Sequence, residues 1–325
     1  MGFTVGVIGC GRWGLRHLAT LQHLKSEGFI DKIFACDINP SRKNILPPNV
    51  DGFFEDWREM VHSRECDLVS IATSNSTHAP LGTAILELGI NVLVEKPLGV
   101  SISEVRELCA AAEKSEASLF SGYLLRYHSG IQYAQHLIQA KKIGQVKSLR
   151  YTKYSSRDKP EKADVIQNLA SHAFSIIPEL LDTKQIPLLT ATVLTTDNKP
   201  APLESAEHAH FHMTYSFSNR PQPVHAEIQV GWGKENLSKL TIEGSRENLR
   251  IHFLTHDSIE QGSTHAGYAW VQTPHSNPPL EQQYRDILDL EKVSKGTISA
   301  HLQTAKLLDK ATTLALQWYQ STAEN

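Results

Sequence analysis

Phe3-Thr-Val-Gly-Val-Ile-Gly-Cys-Gly-Arg-Trp-Gly14 is the stretch that decides the fold of this chain. An apolar run leads directly into three glycines, and leucines at helical spacing follow. This order predicts a buried parallel strand, a tight turn and a helix. Gly9 is expected to allow the turn, Gly11 to let a pyrophosphate approach the backbone, and Gly14 to let the helix pack on the strand. The helix N-terminus then offers N–H groups and partial positive charge to phosphates.

A second apolar run, Ile33-Phe-Ala-Cys36, ends in Asp37, which follows Gly14 by 23 residues. A carboxylate about 20 residues beyond such a glycine motif accepts hydrogen bonds from the ribose hydroxyls of adenosine and repels a 2′-phosphate. The sequence therefore predicts a dinucleotide site that favours NAD. Arg42 can pair with a 2′-phosphate, so NADP stays an alternative. A P-loop lacks support because its Lys-Ser/Thr ending is missing, which leaves a purely structural glycine turn as the other reading.

Length and composition place the chain among ordinary globular proteins. It has 325 residues, enough for two domains, and is 40% hydrophobic and 21% charged. The net charge of −3 gives no indication of a nucleic-acid or membrane partner. No apolar run approaches the ~20 residues needed to span a bilayer, and the first run is the strand itself rather than a signal peptide. The four cysteines lie singly, which predicts reduced thiols and a cytoplasmic protein.

Residues 1–121 alternate short apolar runs with helical patterns. This alternation predicts an α/β, doubly wound Rossmann domain with a parallel sheet that binds the dinucleotide. The expected strands are 3–8, 32–36, 67–72, 90–94 and 118–121, and the expected helices are 12–25, 55–63, 77–88 and 101–116.

Residues 122–325 are rich in predicted strands, several of which alternate in polarity. This pattern predicts an α+β domain for substrate binding and oligomerisation, with an open, mostly antiparallel sheet that buries one face. The glycine-, serine- and proline-rich stretch Gly262–Pro279 is interpreted as a loop. The expected strands are 145–155, 187–196, 206–217, 223–231, 237–243 and 248–253, and the expected helices are 128–141, 164–182, 281–291 and 297–320.

The second strong motif, Glu95-Lys96-Pro97, follows the predicted strand 90–94 and so falls at the carboxyl edge of the sheet, where open α/β folds bind ligands. A Lys-Pro bond can be cis at a cost of only ~0.5–1 kcal/mol. The cis isomer is expected to turn the Lys96 amine toward the nicotinamide. A partly desolvated lysine loses preference for its charged form and can take part in proton transfer.

These motifs, with Ala72-Thr-Ser-Asn-Ser-Thr-His78 and Ser121-Gly-Tyr-Leu-Leu-Arg126, fall in the order and spacing of the Gfo/Idh/MocA oxidoreductases. The whole chain resembles this family, although the part after about residue 195 matches only in pattern. The resemblance implies a Rossmann domain, a second domain with an open sheet, NAD or NADP, and a sugar, cyclitol or nucleotide-sugar substrate. The residues expected at the cofactor are Gly9, Gly11, Arg12, Trp13, Gly14, Asp37, Thr73, Ser74, Asn75, His78, Glu95, Lys96 and Pro97.

The segment 164–172 is most similar to the branch of the family that modifies nucleotide-linked sugars, and it departs from the family pattern Asp-x-x-x-His. Asn168 stands where the family has the acid; an amide can hold a hydroxyl but cannot titrate. Ser175 stands where an acid often follows the histidine. We expect His172 to be the acid/base, with Lys96 beside it and Asn168 orienting the substrate. The alternative is a histidine that is merely polar at the edge of an amphipathic helix.

Two further sets of residues are weaker candidates. Tyr123, Arg126, Tyr154 and Arg157 are candidates for substrate binding, and each can equally be an ordinary surface residue. His208, His210 and His212 share one strand face by their period of two. Three imidazoles can bind zinc, but no neighbouring cysteine or acid pattern completes a site. We therefore predict no metal and interpret this face as solvated or in contact with another subunit.

The sequence thus predicts an oxidoreductase that moves a hydride between a nicotinamide and a hydroxyl or keto carbon of a sugar, cyclitol or nucleotide sugar. Two alternatives stay open: transient use of bound NAD, as in glycoside cleavage or internal redox, and a dinucleotide sensor without turnover, which Asn168 favours. An open sheet has one face to cover, and the resemblance implies that paired subunits cover it. A homodimer or homotetramer is expected.

Overall fold

The computed structural model describes residues 2–63, 66–115, 117–161, 163–195, 197–233, 235–254, 257–263, 265–289 and 297–323. The chain divides into two compact units, described separately below. The first unit contains residues 1–124 and 280–302, and the second contains 125–279 and 303–325. The boundary between residues 121 and 122 stays a prediction.

The first unit is built on a six-stranded parallel sheet in the order β3-β2-β1-β4-β5-β6, which confirms the predicted doubly wound fold. Its strands are β1 Phe3–Ile8, β2 Ile30–Cys36, β3 Gly52–Phe54, β4 Leu68–Ile71, β5 Asn91–Val94 and β6 Leu119–Ser121. Its helices are α1 Arg12–Ser26, α2 Trp57–Ser63, α3 Asn75–Leu86, α4 Ile102–Ser115 and the later α7 Pro279–Leu288, and a 3₁₀ turn spans Pro40–Ile45.

The apolar strands form the core of this unit because helices cover both faces of the sheet. Val5, Val7 and Leu93 are fully buried. Helix α1 contributes Leu18, Leu21 and Leu24 at helical spacing, and α7 adds Leu280, Tyr284 and Ile287 to the same cluster. The four cysteines are buried with free thiols. The hydrophobic pattern of the sequence therefore fixes which face of α1 packs on the sheet.

The second unit is built on an eight-stranded sheet in the order β14-β13-β12-β11-β7-β10-β9-β8. Among the strands that the structure describes, β7 and β10 alone pair in parallel, so the sheet is mostly antiparallel, as predicted. Its strands are β7 Val146–Ser155, β8 Leu188–Leu194, β9 His208–Tyr215, β10 Val224–Trp232, β11 Leu237–Gly244, β12 Asn248–His252, β13 Ser258–Ser263 and β14 Gly267–Gln272. The helices are α5 Ser129–Gln139, α6 Ser171–Leu180 and α8 Thr297–Ala323, which crosses from the first unit at residue 303, with a short 3₁₀ turn at Leu124–Tyr127.

One face of this sheet carries the core of the second unit. Leu149, Tyr151, Phe211 and Ile228 are buried with the apolar residues of α6 in a single cluster. Their strand neighbours point to the other face, which is polar and partly exposed, because successive side chains of a strand alternate. The expected burial of one face is therefore what the structure shows.

The interpretation of Gly262–Pro279 as a loop is wrong in its first half. β13 and β14 form an antiparallel hairpin there, with Ser263 paired to Gly267. A Cβ at Gly262 would lie 2.1 Å from the Gly267 carbonyl oxygen, and Gly267 has φ +80°. The glycines that suggested a loop thus serve the close approach and the turn of a hairpin. The sequence also missed the short strand β3.

Parts of three predicted elements, residues 116, 196 and 290–291, lie outside the described residues. In the part of the chain that the structure describes, none of the helices combines the length and apolar character required to traverse a membrane.

Candidate active site

Three turns of the first unit meet at one edge of its sheet. Strands β1, β4 and β5 are parallel neighbours, so the segments that follow their carboxyl ends lie side by side. The chain runs from β1 outward to β2 and β3, then returns to the other side of β1 with β4. This reversal is the topological switch point where open α/β sheets bind ligands.

The glycine turn after β1 is as tight as the sequence predicted. Gly9 has φ +92°, and a Cβ there would lie 2.6 Å from the Ala72 carbonyl oxygen. A Cβ at Gly14 would lie 1.7 Å from the Gly9 carbonyl oxygen, so only glycine lets α1 pack on the turn. A Cβ at Gly11, in contrast, would meet no atom within 4 Å. The turn therefore has open space at the position where a pyrophosphate is expected.

Helix α1 begins at Arg12 directly behind this open space. Its N-cap is Gly11, and within the described residues no side chain caps the helix. Its first-turn N–H groups and the positive end of the helix dipole are therefore available to an anion. Arg12 is exposed, and Trp13 is half-buried with the Arg16 guanidinium 4.8 Å from its ring centroid. These features fit a dinucleotide phosphate.

Asp37 follows β2 and is tied to the glycine turn. Its Oδ2 accepts the Cys10 N–H at 2.7 Å, and its Oδ1 accepts the Asn39 N–H at 2.9 Å. Each carboxylate oxygen keeps a further lone pair, so Asp37 can still accept a ribose hydroxyl. Ile38 is 91% exposed beside it, which suits the apolar face of an adenine. Sequence reasoning missed Ile38, although an apolar residue directly after the acid was a usable signal.

The turn after β4 carries Thr73, Ser74 and Asn75, which precede or begin α3. Thr73 Oγ1 lies 2.7 Å from Thr77 Oγ1. His78 is buried, with Nδ1 2.7 Å from the Pro97 carbonyl oxygen and Nε2 3.2 Å from that of Thr73. A neutral imidazole can donate to only one of these oxygens. His78 thus links the turn after β4 to the segment after Lys96.

Lys96 directly follows Glu95 at the end of β5, and the Lys96–Pro97 bond is cis, an isomer that a Lys-Pro bond can adopt at small cost. Lys96 is half-buried. Burial lowers its pKa, the Arg12 guanidinium lowers it further, and the Glu95 carboxylate opposes both. The neutral amine is therefore populated at lower pH than in an exposed lysine, which suits a group that exchanges protons.

A buried polar network lies behind Lys96. Glu95 Oε2 accepts the Lys96 N–H at 3.1 Å, and its Oε1 lies 3.1 Å from His17 Nε2. His17 Nδ1 lies 2.6 Å from the Tyr284 hydroxyl oxygen, which lies 2.7 Å from Ser70 Oγ. This network joins α1, β4, the end of β5 and α7. His17 and Tyr284 were missed, because a contact across 267 residues leaves no local signal.

In the second unit, a π-helical turn at Ile166–Ala170 precedes α6. The sequence predicted a helix here but not this irregular turn, a form common at functional sites. Asn168 is exposed and donates from Nδ2 to the Asp164 carbonyl oxygen at 2.9 Å. His172 is half-buried in the first turn of α6, and Ser175 donates to its carbonyl oxygen at 2.7 Å. The carboxylate of Asp164 caps the π-helical turn by accepting the Ile166 N–H at 2.7 Å.

Arg126 is held inside the second unit. Its Nε lies 3.2 Å from Glu179 Oε2, and its terminal nitrogen donates to the Ser175 carbonyl oxygen at 3.2 Å and to Thr304 Oγ1 at 3.3 Å. Burial raises the pKa of Glu179, and Arg126 opposes this. These bonds fix α6 through Arg126, so the structure supplies a packing role for this residue. Tyr123, in the first unit, is buried.

The remaining substrate candidates lie at the end of β7. Tyr154 is on the sheet face opposite to that of Tyr151, with its ring centroid 6.2 Å from that of His208, and Arg157 is exposed beyond the strand. The pleat therefore does not bring Tyr154 to the face on which α6 packs. Lys153, which sequence reasoning missed, is on that face, and burial lowers its pKa. The position of Lys153 two residues after the apolar Tyr151 could have indicated that both side chains share this face.

Comparison with known proteins agrees with this geometry. Residues 3–123 match the family profile GFO_IDH_MocA, described as "Oxidoreductase family, NAD-binding Rossmann fold". Inositol 2-dehydrogenase 2 of Paenarthrobacter aurescens is 30% identical over 188 residues, which are 56% of this chain and 56% of that protein. Inositol 2-dehydrogenase of Salmonella typhimurium is 25% identical over 168 residues, 50% of this chain and 48% of that protein. The chain thus spans about half the length of the curated relatives it matches.

Solved structures extend the likeness of fold to the rest of the chain. The structure of levoglucosan dehydrogenase in complex with NADH and levoglucosan superposes with a TM-score of 0.81 at 16% identity, and covers 98% of each chain. At this identity the likeness concerns the fold alone. The profile match, the glycine turn and the Glu95-Lys96-Pro97 segment agree, and the predicted resemblance is confirmed. Residues 3–123 therefore resemble the NAD-binding Rossmann domain of the Gfo/Idh/MocA oxidoreductase family.

Proposed function

We propose that the protein is an NAD(P)-dependent oxidoreductase acting on a secondary alcohol, or the matching ketone, of a sugar, a cyclitol or a nucleotide-linked sugar. The position of Lys96 carries this proposal: it follows β5 at the sheet edge where β1 ends in the glycine turn, and burial lowers its pKa. The inositol 2-dehydrogenases among the relatives support the substrate class.

The residues that would hold the cofactor are those of the glycine turn, the N-terminus of α1 and Asp37. When bound, a nicotinamide cofactor accepts or supplies the hydride. The Asp37 carboxylate disfavours a 2′-phosphate, so we infer a preference for NAD over NADP. Arg42, in the turn Pro40–Ile45, is the residue that can support residual NADP binding.

We propose that His172, or Lys96, takes or returns the proton of the substrate hydroxyl. A lowered pKa favours the neutral form of Lys96, which can accept a proton. His172, half-buried in the first turn of α6, carries the imidazole that is the other candidate. Asn168 can orient a substrate hydroxyl through its amide but cannot take up a proton. General acid–base catalysis of this kind contributes about 10²–10⁴-fold to the rate. We retain Tyr123, Arg126, Tyr154 and Arg157 as substrate-binding candidates, now with packing roles for the first two.

The test is a panel of cyclitols, free sugars and UDP- or dTDP-sugars with NAD⁺ and NADP⁺, followed by nicotinamide absorbance. We expect turnover with at least one member. Lys96→Ala and His172→Ala should each lower kcat by about 10²-fold or more, while NAD⁺ still binds. Normal turnover by His172→Ala would remove its assigned role.

Asn168 in place of an acid favours a second candidate, a dinucleotide sensor without turnover. Asn168→Asp restores the family pattern at an exposed position, with loss of the hydrogen bond that Asn168 Nδ2 donates to the Asp164 carbonyl oxygen; circular dichroism checks that the fold is retained. Turnover of a substrate by the wild-type protein would contradict the hypothesis that it is a sensor. Cofactor binding without turnover, converted to turnover by Asn168→Asp, supports it. NMR analysis of the products tests the remaining alternative, the transient use of bound NAD. In that case the substrate is converted but no net NADH accumulates.

We also infer a homodimer or homotetramer, since one face of the second sheet is polar and partly exposed in the single chain. Light scattering that gives the mass of one chain at micromolar concentration would contradict this.

A further inference from the structure

Two adjacent strands of the second unit bring two imidazoles and a carboxylate together. His210 and His212 lie two residues apart on the same face of β9, and Glu227 on β10 is in register with His212. One ligand atom from each of the three residues lies within 4.8 Å of the other two. We call these three residues the β9–β10 cluster. The prediction of no metal rested on the lack of a neighbouring acid, and that premise is wrong, because strand pairing supplies Glu227.

The cluster is already organised by hydrogen bonds. His210 Nε2 lies 2.8 Å from Glu227 Oε1, and the rings of His210 and His212 have centroids 4.3 Å apart. Gln229 Nε2 also donates to Glu227 Oε1, at 2.9 Å, and Arg150 Nε donates to Glu227 Oε2 at 2.6 Å. One carboxylate oxygen of Glu227 thus faces the histidines, and the other is held by Arg150.

We propose that the β9–β10 cluster binds a divalent transition-metal ion of the zinc type, through His210, His212 and Glu227 Oε1. Two imidazoles and one carboxylate are a donor set that zinc takes in proteins, whereas magnesium and calcium prefer oxygen ligands. Tetrahedral zinc with bonds of about 2.1 Å needs ligand atoms about 3.4 Å apart. The separations between the ligand atoms, which are at most 4.8 Å, therefore close by no more than about 1.4 Å, and the 2.8 Å separation of His210 Nε2 and Glu227 Oε1 opens by about 0.6 Å.

The closure needs only side-chain rotation. His212 is exposed, and His210 and Glu227 are partly exposed, so none of the three is fixed by core packing. The metal replaces the hydrogen bonds of His210 and Gln229 at Glu227 Oε1. The Arg150 bond to Oε2 is left in place, as the outer hydrogen bond that ligating carboxylates commonly have. Three protein ligands leave a fourth position for water or another donor.

The β9–β10 cluster is separate from the residues assigned to proton transfer. Phe211, between the two histidines, points to the opposite face and packs on Phe174 of α6, with ring centroids 5.3 Å apart. Helix α6 also carries His172. The sheet therefore lies between the cluster and α6, and the metal takes no part in the proposed hydride transfer.

The experiment is a calorimetric titration of untagged protein with Zn²⁺, repeated with Co²⁺ to record its visible absorption spectrum, and with Mg²⁺ as a cation the donor set should reject. The variants are His212→Ala and Glu227→Gln. The matched control is His225→Ala, an exposed histidine on the same face of β10 that is outside the cluster. All three replaced side chains are exposed or partly exposed, so the fold is retained; circular dichroism checks this.

For the wild-type protein we expect one Zn²⁺ per chain and an intense Co²⁺ spectrum typical of tetrahedral sites. The affinity for Zn²⁺ should be lowered at least ~10-fold, or ~1.4 kcal/mol, in His212→Ala and Glu227→Gln but not in His225→Ala. Absence of stoichiometric binding, equal loss in His225→Ala, or affinity unchanged in both cluster variants would overturn the proposal. Turnover and NAD⁺ binding are measured on chelator-treated protein in parallel. Because they do not depend on the cluster, either proposal can fail without the other.

Discussion

His17 Nε2 lies 3.1 Å from Glu95 Oε1, and both side chains are buried. His17 belongs to the helix whose N-terminus faces the expected phosphate position, and Glu95 precedes Lys96. A Cβ at Gly122 would lie 2.6 Å from Glu95 Oε2, so the carboxylate is confined on that side as well. The cofactor-binding helix and the lysine segment are therefore held together by one buried contact.

Replacing His17 tests this contact. His17→Ala leaves the buried Glu95 carboxylate without its imidazole partner, and we expect the free energy of unfolding to fall by at least about 1–3 kcal/mol. Denaturant unfolding followed by circular dichroism measures the loss. His23→Ala, an exposed histidine on the same helix, is the control and should stay within about 0.5 kcal/mol of wild type. Equal stability of the two variants would show that the buried contact contributes nothing.

Replacing Gly14 or Gly11 by alanine should affect different properties of the protein, stability in the first case and NADH affinity in the second. Gly14→Ala places a methyl group against the Gly9 carbonyl oxygen and should cost at least about 2 kcal/mol of stability. Gly11→Ala meets no protein atom, so it should unfold like wild type yet bind NADH at least ~10-fold more weakly, because its methyl fills the phosphate space. Thermal unfolding and NADH fluorescence separate the two effects. Unchanged NADH affinity in Gly11→Ala would place the phosphates elsewhere.

Lys96 should make stability depend on pH in a defined direction. Its pKa in the folded protein lies below the ordinary value of 10.5, mainly because of burial. In that window the unfolded chain binds more protons, so the free energy of unfolding increases with pH from the folded-state pKa up to about 10.5. Lys96→Met should flatten this increase, while Lys43→Met, at an exposed site, should not. A rise of the same slope in Lys96→Met would contradict the assignment.

Cofactor choice should follow the carboxylate at the end of β2. Asp37→Ser removes the charge that repels a 2′-phosphate, so the affinity for NADP⁺ relative to NAD⁺ should increase by ~10-fold or more. Adding Arg42→Ala to this variant should reverse much of the gain, since the guanidinium is the expected phosphate partner. Dissociation constants from calorimetry for both cofactors decide this. If Asp37→Ser leaves the ratio of the NADP⁺ and NAD⁺ dissociation constants unchanged, another group discriminates between the two cofactors at the ribose.

The order of most strands and helices of the first unit could be predicted from the sequence because the strands, except the short β3, lie in largely apolar runs. The turns at the sheet edge followed from that order, since parallel strands place Gly9 and Lys96 at the same edge. What escaped prediction depends on pairing between distant segments. Tyr284 reaches His17 across 267 residues, and Glu227 joins His212 only through the register of β9 and β10.

Local irregularity accounts for the other differences. The π-helical turn at Ile166–Ala170 has the composition of an ordinary amphipathic helix, so periodicity could not reveal it. Strands β13 and β14 use Gly262 and Gly267 for close approach and a turn, and such glycines are equally typical of loops. The sheet face occupied by Tyr154 follows from the alternation along β7 with the buried Tyr151, a signal that the sequence contains.

The most direct test of the central claim is a calorimetric titration of the wild-type chain with NAD⁺, NADH, NADP⁺ and NADPH, on protein shown to be folded by circular dichroism. We predict a saturable heat with one site per chain for NAD⁺ and NADH. Absence of binding heat with all four dinucleotides, confirmed at a second temperature, would contradict the claim that the first βα turn holds a redox dinucleotide.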